Sequence, residues 1–154
     1  MQTSAPDLWQ AIADDASAES ALWRDSLRPA AEREALPVFS PICGEPHALG
    51  LETVYEGYLA HYGRPRLFDP PDHDTALLLG DYLYAHGLVR IAASGEVDAV
   101  RELAELISLC AHLRAQGSDG DGEAWAATAG RLGDGAVDSG TVAIALALHE
   151  GRFS

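Results

Sequence analysis

Apolar residues recur along most of this chain at steps of three and four, the spacing of one face of an α-helix. The clearest stripe predicts a helix from Glu96 to Gln116 and consists of Val100, Leu103, Ile107, Cys110 and Leu113. No stretch alternates apolar and polar residues long enough to predict a strand, and no internal repeat is visible. The pattern therefore predicts an all-α protein, with residues 1–154 forming a single-domain helical bundle of about six to seven helices.

Prolines, glycines and capping residues set the predicted limits of the other helices. The first helix is expected to start near Ser4, and the polar residues 14–20 leave open whether it breaks there. A short second helix after Pro29 should stop near Leu36, because the prolines and the glycine of residues 37–46 favour an irregular, extended segment. Further helices are predicted over residues 48–62, 74–93, 124–132 and 141–150, with acidic, glycine-rich loops before the last two.

The helix predicted over residues 74–93 contains the run ALLLGDYLYAHG and is apolar on most sides. Such a helix is typical of an element surrounded by protein, so we expect it at the centre of the bundle. Asp81 lies in this run, and no second acid follows it at helical spacing. Because an unpaired carboxylate away from water is costly, Asp81 is predicted to be a structural acid paired with a basic or hydroxyl group elsewhere.

The charge balance limits the partners that the protein can have. The chain has 10 Lys and Arg residues against 24 Asp and Glu residues, a formal net charge of -14, and such a surface repels nucleic-acid phosphates and anionic lipids. Cys43 and Cys110 are too few for a disulfide framework. The N-terminal residues lack the features of a signal peptide, and no apolar run reaches the ~20 residues of a membrane span. These features predict a cytoplasmic protein without nucleic-acid partners or membrane insertion.

One constellation could carry metal chemistry. His73 and Asp74 could form the central pair of a metal-dependent phosphohydrolase of the HD type, with His61 upstream and an acid such as Asp98 or Asp138 downstream. The competing interpretation is that Asp74 or Asp72 simply caps the helix that follows.

Other polar groups are predicted to be structural or solvated. The acidic run from Asp119 to Glu123 lacks the glycine and the glutamate of a calcium loop, and the glutamates of residues 52, 56, 102 and 105 lack a histidine in the register of a di-iron site. All are expected on solvated surfaces. Histidines 47, 86, 112 and 149 show no short metal spacing. No nucleophile elbow, phosphate-binding loop or dinucleotide turn is present.

Residues 76–117, ALLLGDYLYAHGLVRIAASGEVDAVRELAELISLCAHLRAQG, resemble the two central helices of the trans-isoprenyl diphosphate synthases, in which a Gly-Asp-Tyr-Leu run opens a long helix. The resemblance implies that the chain matches the N-terminal half of that all-α fold. In the family, the upstream helix ends in the motif DDxxD, which holds magnesium and the allylic diphosphate, before an Arg-Arg-Gly-x-Pro turn. The similar turn here is His61-Tyr62-Gly63-Arg64-Pro65, which makes Arg64 the candidate phosphate-proximal residue.

The chain departs from the family where magnesium would bind. Residues 56–60, Glu-Gly-Tyr-Leu-Ala, stand where the first aspartate motif would be, and the chain is too short for the later half that carries the second. Ionisation of a diphosphate needs about three magnesium ions between two carboxylate clusters. The resemblance therefore implies a chain with no catalytic residues and no cofactor of its own, and Mg²⁺ is expected in a catalytic partner.

In this family, small subunits without aspartate motifs pair with a catalytic subunit and help to set product length. By resemblance, the chain is expected to be a non-catalytic accessory subunit of a heteromeric polyprenyl diphosphate synthase. Leu78, Tyr82, Leu83 and His86 are then candidates for the product tunnel or the subunit interface, with core packing as their ordinary role. The metal-dependent hydrolase and a self-associating helical protein stay as alternatives, and a homodimer of the isolated chain remains open.

Overall fold

The computed structural model describes residues 7–135 and 137–153. Its helices are α1 (Leu8–Glu19), α2 (Ala21–Ser26), α3 (Ser40–Cys43), α4 (Ala48–Tyr62), α5 (His73–Ala92), α6 (Val97–Ala115), α7 (Asp121–Leu132) and α8 (Ser139–Gly151). A 3₁₀ turn covers Ala30–Glu32, and no strand occurs in this part of the chain. The prediction of an all-α helical bundle is confirmed.

Capping side chains fix several helix ends. Asp7 accepts a hydrogen bond from the Trp9 N–H at the start of α1, and Asp72 accepts one from the Thr75 N–H at the start of α5. Ser20 separates α1 from α2, because its backbone is extended and its hydroxyl accepts from the Leu22 N–H. The predicted start near Ser4 lies outside the described residues.

Two local predictions were wrong. The helix expected after Pro29 is only the 3₁₀ turn, after which the chain runs irregularly to residue 39. The segment over residues 37–46, predicted to be extended, contains the short helix α3. Pro41 lies in its first turn, where the missing N–H removes no intrahelical bond.

The central helix is α4 rather than α5. Residues 48 and 50–60 of α4 are all buried, whereas α5 buries only one side and leaves Leu78 and Val89 more than half exposed. The prediction that α5 lies at the centre was wrong because apolar residues on its outer side face solvent. The sequence pattern shows that α5 is apolar, but it does not show which of its sides other helices cover.

Four glycines bring α4 and α5 into backbone contact as an antiparallel pair. A Cβ atom at Gly57 would lie 2.9 Å from the Gly80 carbonyl oxygen, and one at Gly87 would lie 3.0 Å from the Gly50 carbonyl oxygen. Both distances are too short for a methyl group. The glycines are seven residues apart in each helix, so two successive contacts fix the rotation of α5 about its axis.

The buried apolar residues form two hydrophobic clusters. The larger surrounds α4 and includes Phe39, Tyr55, Tyr58 and Trp125, while the smaller joins α1 and α2 to the loop after α4 and to Leu79 and Leu83 of α5. Within residues 7–135 and 137–153, no helix combines the length and apolarity that a membrane crossing requires.

Candidate functional site

A buried ion cluster forms where Arg66, from the loop after α4, meets Glu52 and Glu56 of α4. The Arg66 side chain comes from the loop after α4 and is fully buried. Its Nη1 donates to Glu52 Oε1 at 2.7 Å, and its Nε donates to Glu56 Oε1 at 3.0 Å. Burial alone lowers the pKa of the Arg66 guanidinium, but the two carboxylates raise it above its usual value. Arg66 therefore stays charged in the interior.

Backbone donors complete this cluster. Glu52 Oε2 accepts from the N–H groups of Val38 and Ser40, each at 3.0 Å, and Glu56 Oε2 accepts from the N–H of Leu67 at 2.7 Å. The prediction that Glu52 and Glu56 lie on a solvated face was wrong, since both are 0% exposed. Their spacing of one helical turn matches a solvated pair, but the loop folds back and supplies a cation.

A second polar network joins α4, α6, α7 and α8. Asp121 Oδ2 accepts from the Tyr58 hydroxyl at 2.7 Å and from Arg114 Nη2 at 2.6 Å, and it lies 3.1 Å from His149 Nε2. Because an ionised carboxylate only accepts, Nε2 donates, and Nδ1 of a neutral His149 ring then accepts from the Tyr55 hydroxyl at 2.7 Å. Burial alone raises the pKa of Asp121, but these donors hold it well below its usual value.

An open cleft of about 660 Å³ lies beside this network. Its lining includes the carboxylates of Asp119, Asp121, Glu123 and Glu150, against one arginine, Arg114. Arg114 is already paired with Asp121 and lies over the Phe153 ring, 4.0 Å from its centroid. The described residues of the lining therefore offer a diphosphate no unpaired Arg or Lys side chain. The prediction of a loop was wrong for residues 121–123, which form the first turn of α7, and the prediction of a solvated side chain was wrong for Asp121, which is only 16% exposed.

The residues of the predicted metal site do not form a ligand group. His61 Nε2 lies 3.1 Å from the Leu77 carbonyl oxygen and 3.1 Å from Asp81 Oδ1. His73 and Asp74 are exposed in the first turn of α5. Among residues 7–135 and 137–153, no three His, Cys, Asp or Glu side chains form a group that could hold a metal ion.

The α5 residues predicted for a tunnel or an interface differ in what surrounds them. Leu83 is buried in the smaller cluster, so core packing accounts for it. Tyr82 stacks on Trp23 and on His86, and His86 Nε2 lies 3.1 Å from Asp15 Oδ2. Leu78 is 55% exposed.

The remaining two predicted residues lie at the surface. Asp81 has the basic partner His61, as predicted. The prediction assumed that Asp81 is buried, and that assumption was wrong, since its side chain is 67% exposed. Arg64 is exposed and donates from Nη2 to the Gly151 carbonyl oxygen at 3.2 Å, which ties the loop after α4 to the end of α8.

The sequence interpretation did not single out Arg66, Tyr58 or Arg114. Arg66 has one local signal, since it stands between Pro65 and the apolar pair Leu67-Phe68, where a charged side chain is unusual. Tyr58 has none, because its hydroxyl bonds to Asp121 and Arg114, both more than fifty positions away. Arg114 pairs with Asp121 seven positions on, across the loop between α6 and α7, so no single helix has a period that joins them.

Comparison of the chain with family models, with curated proteins and with solved structures finds no match. The resemblance to the isoprenyl diphosphate synthases therefore depends on the residues quoted for it, and what it implies for function is a proposal.

Proposed function

We propose that this chain is a non-catalytic accessory subunit of a heteromeric polyprenyl diphosphate synthase, in which it pairs with a catalytic subunit and helps to set the product length. The observation that carries the proposal is that the acids of α4 are buried and paired with an arginine. Glu52 and Glu56 are the two acids of this helix, and both are neutralised by Arg66 and closed off from solvent. If either carboxylate bound magnesium, it would leave the buried Arg66 guanidinium with one ion-pair partner fewer, which is costly.

The charges of the open cleft support the same proposal. A site for diphosphate ionisation needs cations that face the leaving group. The one arginine that lines the cleft is already paired with Asp121, and the described side chains of the lining form no group that could hold a metal ion. In the proposed complex, the metal ions and the diphosphate belong to the catalytic subunit.

No contact of the described residues favours the alternative hydrolase. His61 is engaged by the Leu77 carbonyl and by Asp81, while His73 and Asp74 face solvent without a third ligand. The hydrolase stays a prediction from sequence spacing alone.

The test combines this chain with the trans-prenyl diphosphate synthase subunit of the same organism. Labelled isopentenyl diphosphate, farnesyl diphosphate and Mg²⁺ are supplied, and the chain length of the products is measured by reversed-phase chromatography. We expect no elongation by this chain alone and a change in product length when both are present. A catalytic subunit whose metal-binding aspartates are replaced by alanine is the control, since any product must then come from this chain. Elongation in that control, or an unchanged product length and rate in the mixture, would contradict the proposal.

A further inference from the structure

Four residues of α5 form an apolar surface that the described chain leaves largely exposed, with only Tyr82 partly covered, by Trp23 and His86. Leu78, Tyr82, Ala85 and Val89 follow one another at steps of four, three and four, so they lie on one side of the helix. Leu78 is 55% exposed and Val89 is 63% exposed, Ala85 is exposed, and Tyr82 is half-buried. We call this surface the α5 outer face, and it extends about 16 Å along the helix axis.

The helix cannot turn to bury this face. Gly80 and Gly87 lie on the opposite side of α5, where a Cβ atom at either position would lie 2.9 to 3.0 Å from a carbonyl oxygen of α4. Any rotation that moved Leu78 inward would replace these glycines with larger side chains at the backbone contact. The packing of α4 on α5 therefore fixes Leu78 and Val89 in solvent. Apolar surface that is continuous along a helix is typical of an interaction site.

Acidic groups border the face. Asp81 lies beside Leu78 and Tyr82 on the helix, and its side chain is 67% exposed. Burial raises the pKa of Tyr82, the negative charges of Glu19 and Asp15 raise it further, and the positive charge of Arg90 lowers it. Asp15 is itself paired with Arg90 and lies 3.1 Å from His86 Nε2. Asp81, Glu19 and Asp15 thus outnumber the one arginine of the border, Arg90, in keeping with the negative charge of the whole chain.

This border decides between the two possible kinds of protein partner. A second copy of the chain would bring one acidic border against another, on subunits that each carry a formal charge of -14. Like charges facing each other across an interface oppose association. A different polypeptide, with an apolar ridge between Lys or Arg side chains, meets both the apolar and the acidic parts of the surface.

We infer that the α5 outer face is the docking surface for the catalytic prenyl diphosphate synthase subunit, and that a helix of that subunit with basic flanking residues covers it. The inference rests on the proposed function and adds to it the surface and the charge of the partner. Ala85 lies in the middle of the face, where its small side chain lets the partner helix approach closely.

The test measures the dissociation constant between this chain and the trans-prenyl diphosphate synthase subunit of the same organism. Leu78→Asp and Val89→Asp place a charge on the face, and each is expected to weaken binding by about tenfold or more. Ile144→Asp is the matched control, because Ile144 is 64% exposed and lies on α8, which packs on α7 and α3. The control should change the dissociation constant less than about twofold. Circular dichroism melting checks that all three variants stay folded.

The dependence of binding on salt concentration tests whether charge contributes to the proposed contact. Binding of the wild-type chain should weaken when the ionic strength rises from about 0.05 M to about 0.5 M. Light scattering of the chain alone reports a second copy on the face, and a dimer that Leu78→Asp dissociates would overturn the inference.

Two further outcomes separate this inference from the proposed function. If the catalytic subunit binds and its product length changes, but Leu78→Asp and Val89→Asp bind as the wild type does, the docking surface is wrong and the accessory role stands. If the catalytic subunit does not bind at all, both are overturned.

Discussion

Replacement of Arg66 by methionine is the most direct test of the buried ion cluster. Methionine keeps much of the aliphatic length of the side chain and removes the guanidinium, so Glu52 and Glu56 lose their shared cation. Both carboxylates are 0% exposed and cannot turn to water without breaking the core. We expect Arg66→Met to destabilise the fold strongly.

The hydrogen bonds of the cluster set the magnitude. Removal of one partner from a buried ion pair costs about 3–5 kcal/mol, against a total stability of about 5–15 kcal/mol for a domain. The backbone N–H groups of Val38, Ser40 and Leu67 still donate to the two carboxylates after the change. Since these donors keep part of the stabilisation, we expect a loss near the lower end, about 3 kcal/mol. At about 2–4 °C per kcal/mol, the melting temperature should fall by about 6–12 °C.

Urea unfolding followed by circular dichroism measures this loss. Arg131→Met is the matched control, since Arg131 pairs with Glu102 at the surface and should cost less than about 1 kcal/mol. A triple variant that adds Glu52→Gln and Glu56→Gln to Arg66→Met removes the stranded charges and should be more stable than Arg66→Met alone. The reasoning is refuted if Arg66→Met costs no more than Arg131→Met, or if the triple variant is the less stable of the two.

Three further predictions concern packing, pH and thiol reactivity. Gly80→Ala should lower the free energy of unfolding by about 1–3 kcal/mol, because its Cβ would meet the His61 ring and the Gly57 carbonyl oxygen, the latter at 2.9 Å. Gly151→Ala, with no atom within 4 Å, should be neutral in the same urea assay, and equal effects would contradict the close contact. Asp121→Asn should lower the free energy of unfolding by about 1–2 kcal/mol at pH 7. The difference in unfolding free energy between variant and wild type should shrink as the pH falls below about 4, because the pKa of Asp121 is lower in the folded than in the unfolded chain, and the stabilisation from its carboxylate is lost as the pH falls toward the folded pKa. A difference that is constant from pH 7 to pH 3 would exclude this linkage. Burial raises the pKa of Cys43 and Cys110 to about 12, so both thiols should react slowly with a disulfide reagent at pH 8 and quickly in guanidinium chloride, and rapid reaction of the native protein would show that they are accessible.

The helices that the sequence predicted well are those with strong local signals. The helix predicted over residues 48–62 has those bounds in the structure, because Pro46 precedes it and Gly63 follows it. The next helix begins within one residue of its predicted start, where Asp72 caps it. Each signal acts between neighbours in the chain, so it can be read without knowledge of the tertiary fold.

The polar clusters depended on contacts between distant residues. Glu52 and Glu56 are spaced like a solvated pair, and only the loop that returns Arg66 to α4 makes them buried. The network of Asp121 draws its donors from three other helices. A single sequence carries no record of which donors meet a given carboxylate, so the chemistry of both clusters could not be predicted.

The position of α5 shows how the same sequence pattern admits two interpretations. Its apolar residues on nearly every side favour a central helix, and the glycines at positions 80 and 87 read only as weak helix formers. In the structure those glycines, with Gly50 and Gly57, form the backbone contact that turns one side of α5 outward. One side of α5 is therefore buried against α4, while Leu78 and Val89 on the other side stay exposed, and the proposed partner would cover them. Gly80→Ala is therefore expected both to destabilise the fold and to weaken binding of the catalytic subunit. A core variant of similar stability on α7, such as Ala129→Gly, should leave binding intact. That pair of results would show that the backbone contact between α4 and α5 also positions the proposed docking surface.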